Sequence, residues 1–125
     1  MKDIAIVAAG GAIGAALRHL TGLLMLRLAG AAFPWGTLTV NILGSFAMGL
    51  FIELLARRFG ASNELRLLVA TGVLGGFTTF SSFSLDVAIL WERGMAPAAF
   101  AYVLASVIGS VCALSAGLWL VRVMG

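Results

Sequence analysis

The sequence predicts an all-α integral membrane protein of four transmembrane helices, the third of them broken. Three observations carry that prediction. The residues are 62% hydrophobic and only 10% charged, where a soluble domain has about 45–50% apolar and about 25% charged residues. The mean hydropathy is accordingly high, +1.11. The apolar residues also gather into four stretches, each long enough to cross about 30 Å of hydrocarbon at roughly 1.5 Å per residue. Finally, one stretch is interrupted by glycines and hydroxyls where simple lipid filler would be Leu, Val and Ile. A chain of 125 residues leaves room for a single transmembrane domain, 1–125, and for no extramembrane enzyme domain.

The first span is expected over residues 4–28, Ala- and Gly-rich in its first half. It is too long and too glycine-rich for the apolar core of a cleavable signal, and none is expected. The second is expected over 33–55, uncharged from 33 to 52; the third over 67–90; the fourth over 97–121, uncharged throughout. Pro34 and Pro97 each suit the first turn of a helix, where a missing N–H costs nothing. Trp35, Trp91 and Trp119 fall near the expected ends, as an interfacial aromatic belt requires. Four spans put both termini on one side.

Residues 72–84 interrupt the third span: Gly72, Gly75 and Gly76 come first, then Thr78, Thr79, Ser81, Ser82 and Ser84 among Phe77, Phe80 and Phe83. Glycine is a poor helix former, since its backbone loses the most freedom on ordering. Hydroxyls can bond backbone groups that a break sets free. The stretch reads as a discontinuous transmembrane helix, an element that builds ion sites at mid-membrane.

The formal charge is +3. The basic residues stand singly or in pairs at span ends, which marks membrane flanks rather than a nucleic-acid surface. Lys2, Arg57, Arg58, Arg66 and Arg122 lie on the side of the termini, Arg27 and Arg93 opposite. That bias leans weakly towards cytoplasmic termini and also permits insertion both ways. The single Cys112 sits in an apolar span and reads as packing, buried and unreactive. Asp86, late in the third span, reads as helix-end solvation ahead of vestibule lining. One histidine and no cluster of metal ligands or acid–base pairs argue against an enzyme.

Small residues recur four apart: Gly10 and Gly14, Gly72 and Gly76, then Ala105, Gly109, Ala113 and Gly117. Such faces let helices approach closely in lipid. Packing within one chain and packing between two chains fit equally well.

Polar residues form stripes on three spans. Thr37, Asn41 and Ser45 share one helix face, and Tyr102, Ser106 and Ser110 share another. The third span adds its threonines and serines, Ser81 among them. Interhelical hydrogen bonding, worth around 0.6 kcal/mol per bond in membranes, would explain any one stripe. Three together read better as the lining of a narrow path. Donors without a mid-membrane carboxylate suit an anion. Arg18 is either an interfacial side chain or the cation of an electropositive vestibule. Phe77, Phe80 and Phe83 are core packing on the plain reading. On the sharper one, inward-turned ring edges offer an anion a weak, uncharged contact that lets it leave.

Three blocks carry a family resemblance: 11–18 (GAIGAALR), 36–46 (GTLTVNILGSF) and 75–84 (GGFTTFSSFS). In this order, and over essentially the whole chain, they resemble the Fluc (CrcB) fluoride channel family. The resemblance implies a fluoride-selective passive channel in the plasma (inner) membrane. It implies an antiparallel, dual-topology homodimer with two pores along the subunit interface. Asn41 matches the pore asparagine, and Phe80 and Phe83 match the aromatic pair lining the fluoride path. Tyr102, Ser106 and Ser110 match the hydroxyl track of the last helix, and Arg18 the arginine of the first. The backbone carbonyls of Gly75 and Thr78 match a structural sodium site between subunits, which unwound carbonyls of two chains could cage. His19 departs from the pattern, where an aromatic is expected. Implied partners are fluoride, sodium, membrane lipid and a second copy of the chain. The physiology implied is release of fluoride that entered as neutral HF and dissociated inside, driven by a potential worth about 2.3 kcal/mol per charge per 100 mV.

The alternative is a small multidrug-resistance-type proton-coupled antiporter, also a four-helix dual-topology dimer. It calls for a carboxylate in the first helix, and residues 4–28 hold none. A membrane assembly factor held by the glycine faces is a third reading.

Overall fold

The computed structural model describes residues 1–125. Four helices are long and apolar enough to cross a membrane: α1 (Lys2–Ala29), α2 (Trp35–Arg58), α3 (Asn63–Glu92) and α4 (Ala96–Met124). α1, α3 and α4 run one to four residues beyond the expected spans at each end, whereas α2 starts at Trp35, two residues after the expected 33, and ends three residues later than expected. Pro34 stands just before α2, its carbonyl accepting from Leu38 N–H at 3.2 Å. Pro97 lies inside the first turn of α4 as expected. The turns between helices use Gly30, Gly60 and Gly94, all at positive φ, and Ala61 at φ 55°.

Two helix pairs make most of the fold. α1 lies along the first part of α3, and α2 lies along α4. Backbone proximity at glycine explains both. A Cβ on Gly10 would sit 2.9 Å from Gly72 Cα, and one on Gly76 would sit 2.7 Å from the Gly11 carbonyl oxygen. A Cβ on Gly117 would sit 2.8 Å from Leu50 N. The Gly10/Gly14 and Gly72/Gly76 pairs therefore serve packing within one chain. The α4 row divides: Gly117 is buried against α2, whereas Ala105 faces outward.

A core of Leu38, Phe83, Leu90, Ala99 and Tyr102 joins α2, the second part of α3 and α4. Much of the remaining apolar surface faces outward, including Leu20 and Leu24 of α1 and Leu104, Ile108 and Val111 of α4. Cys112 is exposed as well, contrary to the buried position read from its apolar span. Helix periodicity puts it on the outward side of α4, away from α2.

The winding of α3 changes along its length. Arg66–Leu74 is a π-helix, with Gly75 N–H donating back to the Ala70 carbonyl. Gly75–Phe77 is α-helical. Thr78 (φ −84°, ψ 158°) and Thr79 (φ −154°, ψ 123°) are extended, and helix resumes over Phe80–Glu92.

Candidate functional site: the polar groove beside Thr78 and Thr79

The two extended residues gather the polar side chains around them. Asn41 of α2 engages both backbone groups of Thr79: its Nδ2 donates to the Thr79 carbonyl at 3.0 Å, and Thr79 N–H donates to its Oδ1 at 2.8 Å. Thr79 Oγ1 accepts from Ser82 N–H at 3.1 Å, capping the helix that resumes. Thr78 Oγ1 donates back to the Leu74 carbonyl at 2.9 Å, as does Thr78 N–H at 3.0 Å. Gly44 makes the approach of α2 possible. A Cβ there would overlap the Thr78 methyl and lie 3.2 Å from the Phe77 ring.

Asn41, Ser45, Thr78, Thr79, Phe80, Phe83, Ser106 and Ser110 line one groove of about 330 Å³. Ser106 Oγ and Ser110 Oγ are buried there without a protein partner. Most serines on helices return their hydroxyl to a carbonyl one turn back, as Ser84 does to Phe80 at 3.0 Å. Two successive hydroxyls left unpaired on one face are costly unless something else accepts or donates there.

The phenylalanine pair divides its tasks. Phe83 is buried in the core, its ring centroid 5.2 Å from that of Tyr102. Phe80 is 76% exposed, with its centroid 5.4 Å from Phe83. Tyr102 is fully buried and stands outside the groove, its hydroxyl donating to Asp86 Oδ2 at 2.9 Å. Asp86 is thus half-buried and accepts from a core phenol, a partner that the reading of helix-end solvation did not include. Ser81 also lies outside the groove, its Oγ 3.3 Å from Thr79 Oγ1.

A second cavity, about 440 Å³, lies on the other side of Thr79 and is lined by Arg18, His19, Thr37 and Thr79 among others. Arg18 Nε donates to the Gly76 carbonyl at 3.1 Å, so the guanidinium binds the carbonyl end of the first part of α3. Positive charge there complements the helix dipole. A third, about 290 Å³, shares Gly22, Leu26, Gly36 and Thr37 with the second and adds Asp86 and Arg93. Sequence reasoning missed Thr79 as the hinge common to two cavities; its only signal was a place among the hydroxyls after the glycines.

The four spans and the neutral polar groove define a multi-pass membrane protein with a donor-lined interior face. The family model described as CrcB-like protein, Camphor Resistance (CrcB) matches residues 5–118. The chain belongs to that family. A relative from Chelativorans sp. (strain BNC1) is 66% identical over 122 residues, 98% of each chain. One from Mesorhizobium japonicum is 63% identical and one from Agrobacterium fabrum 59%, again over 98% of each chain. All three carry the name fluoride-specific ion channel FluC.

Proposed function

We propose that this chain is a fluoride-selective passive channel of the plasma (inner) membrane, and not an enzyme. The single observation that carries the reading is the pair of buried, unpartnered hydroxyls, Ser106 Oγ and Ser110 Oγ, in a groove with Asn41, Phe80 and Phe83. Hydroxyl groups without a partner donate to a passing anion. Asn41 keeps one amide proton free after its bond to Thr79. No carboxylate lines the groove to repel an anion or to carry a coupled proton. The carboxylate that a proton-coupled antiporter calls for in its first helix is missing from residues 4–28, and Asp86 of α3 is engaged by Tyr102. The names of the relatives point the same way.

The functional unit in this reading is an antiparallel, dual-topology homodimer with two pores. The groove is open on one side, and the large Phe80 ring faces outward from a single chain. A second copy covers both and closes the path, with Tyr102 behind it and Ser81 beside Thr79. Arg18, free at its Nη atoms, makes the adjoining cavity an electropositive vestibule.

A structural sodium ion fits the extended residues. Thr79 N–H, the helical partner of the Gly75 carbonyl, donates to Asn41, and Ser82 N–H, the helical partner of the Thr78 carbonyl, donates to Thr79 Oγ1. Gly75 and Thr78 would hold the ion through their neutral carbonyls, paired with those of the second copy. Hard monovalent cations take such oxygen ligands. The ion's part is to join the two chains.

The experiment is fluoride release from liposomes loaded with potassium fluoride and started with valinomycin. Fast release with chloride retained is the expected result, abolished by Phe80→Ile. No release from dimeric protein with sodium present overturns the channel reading. Crosslinks between topology-tagged copies are expected to join opposite orientations; only parallel pairs would refute the assembly.

A further inference from the structure

We propose that Asn41 is a positioning residue whose carboxamide selects the extended backbone of Thr79 and so holds α3 in its interrupted form. In lipid, an uninterrupted helix is the default, because it satisfies every backbone group internally. An interruption persists only if something else satisfies the groups it frees. Asn41 does so at both ends of one residue, accepting from Thr79 N–H at 2.8 Å and donating to the Thr79 carbonyl at 3.0 Å.

The geometry is selective. An extended residue presents its N–H and C=O to the same side, as in an antiparallel β pair. A planar carboxamide, with one acceptor and a donor beside it, meets both at once. In an α-helix the N–H and C=O of one residue point in opposite directions along the axis, and no single carboxamide reaches both. Thr79 at φ −154° and ψ 123° is in the first state. Both hydrogen bonds therefore exist only in the extended form. A partner with differential affinity for two states shifts their populations. Gly44 brings α2 close enough, since any Cβ there would overlap the Thr78 methyl.

Thr79 lines both the groove with Ser106 and Ser110 and the cavity with Arg18 and Thr37. The clamp thus fixes the point where the two meet. This role is separate from any contact Asn41 makes with an anion; its consequence for flux rests on the channel reading, while its structural consequence does not.

A carboxylate accepts from Thr79 N–H but cannot donate to the Thr79 carbonyl. A protonated carboxylic acid can do both. Asn41→Asp therefore clamps at acid pH and loses the clamp as pH rises. No ionisable side chain lines the groove at Asn41. Arg18 and His19 of α1 line the other cavity with Thr79, so wild-type shifts over the same pH range are the control, and Asp86 of α3 is held by Tyr102.

The test is threonine ¹³C chemical shifts of the full chain in lipid bilayers. Wild-type Thr79 is expected at extended values. In Asn41→Leu, the ratio of extended to helical Thr79 should fall about tenfold, the effect of losing two hydrogen bonds of ordinary membrane strength. In Asn41→Asp, Thr79 should be extended at acid pH and turn helical or divide into two signals at alkaline pH. If Asn41→Leu does not fold, the Asn41→Asp titration decides alone. An extended-to-helical ratio at Thr79 unchanged in Asn41→Leu, or pH-independent shifts in Asn41→Asp, overturn the proposal. Loss of flux with Thr79 still extended would refute the clamp and keep the channel reading. A helical Thr79 with normal fluoride flux would uphold the clamp and count against the pore.

Discussion

Gly14→Ala tests whether backbone contact between α1 and α3 holds the fold. A methyl group at Gly14 would lie 2.8 Å from Phe77 N and 2.9 Å from the Val73 carbonyl carbon, and would overlap the Val73 carbonyl oxygen. All three are backbone atoms, so no side chain can swing aside. Non-bonded carbons need about 3.5 Å, and the helices must part by about 1 Å. Forcing a methyl into a packed interface costs about 1–3 kcal/mol. The Arg18–Gly76 bond, already at 3.1 Å, would lengthen as the helices part. Gly11→Ala is the control: a Cβ there meets nothing within 4 Å, and alanine is the better helix former by about 0.8–1 kcal/mol. The two variants should therefore differ by about 3 kcal/mol, a gap of about 10 °C in thermal midpoint for a chain of this size. Thermal unfolding of both in the same detergent, followed by tryptophan fluorescence, measures it. Equal midpoints, or a lower one for Gly11→Ala, would refute the packing argument.

Ser106→Ala and Ser110→Ala should separate function from stability. Each removes a hydroxyl with no protein partner, so stability should hold or rise by up to about 1 kcal/mol, while fluoride flux falls; a clear loss of stability would mean the hydroxyls are structural. Tyr102→Phe leaves Asp86 without its 2.9 Å donor and should cost about 1–3 kcal/mol in unfolding measurements. Ala61→Gly relieves a left-handed residue at φ 55° and should stabilise by about 0.5–1 kcal/mol, read as a raised thermal midpoint. Lys2→Ala removes an exposed ion pair to Glu64 at 2.6 Å, which solvent screens, and should leave the thermal midpoint unchanged in the same assay.

The spans were legible because lipid imposes a length and a polarity that composition alone reveals. The glycine faces were legible as faces but not as partners. Spacing four apart says that Gly10 and Gly14 share a side of α1; only the fold shows Gly72 on the other side of the contact. The phenol partner of Asp86 was not legible because Tyr102 stands sixteen residues away on another helix. The π winding of Arg66–Leu74 left no mark in a segment that is mostly Leu, Val, Ala and Gly, with Arg66 and Thr71. Ser106 and Ser110 were read correctly as neighbours, since i and i+4 always share a face.

Asn41 shows why the remainder was hidden. In sequence it is an amide on a polar stripe, which reads as a donor to whatever passes. In the fold its oxygen and one of its N–H groups are committed to the backbone of Thr79, and only the second N–H is left for a ligand. Side-chain type gives the inventory of donors and acceptors; the partner decides which of them are free. The serines of α4 are the converse case. Their hydroxyls had ordinary structural uses available, a carbonyl one turn back or a neighbouring helix, and the fold gives them neither. In the proposed channel a ligand path would be made by that difference: the Asn41 amide is spent on the Thr79 backbone, and the two unpartnered serine hydroxyls are left for the ion. Weak donors suit passage, because a site that binds too well does not let go.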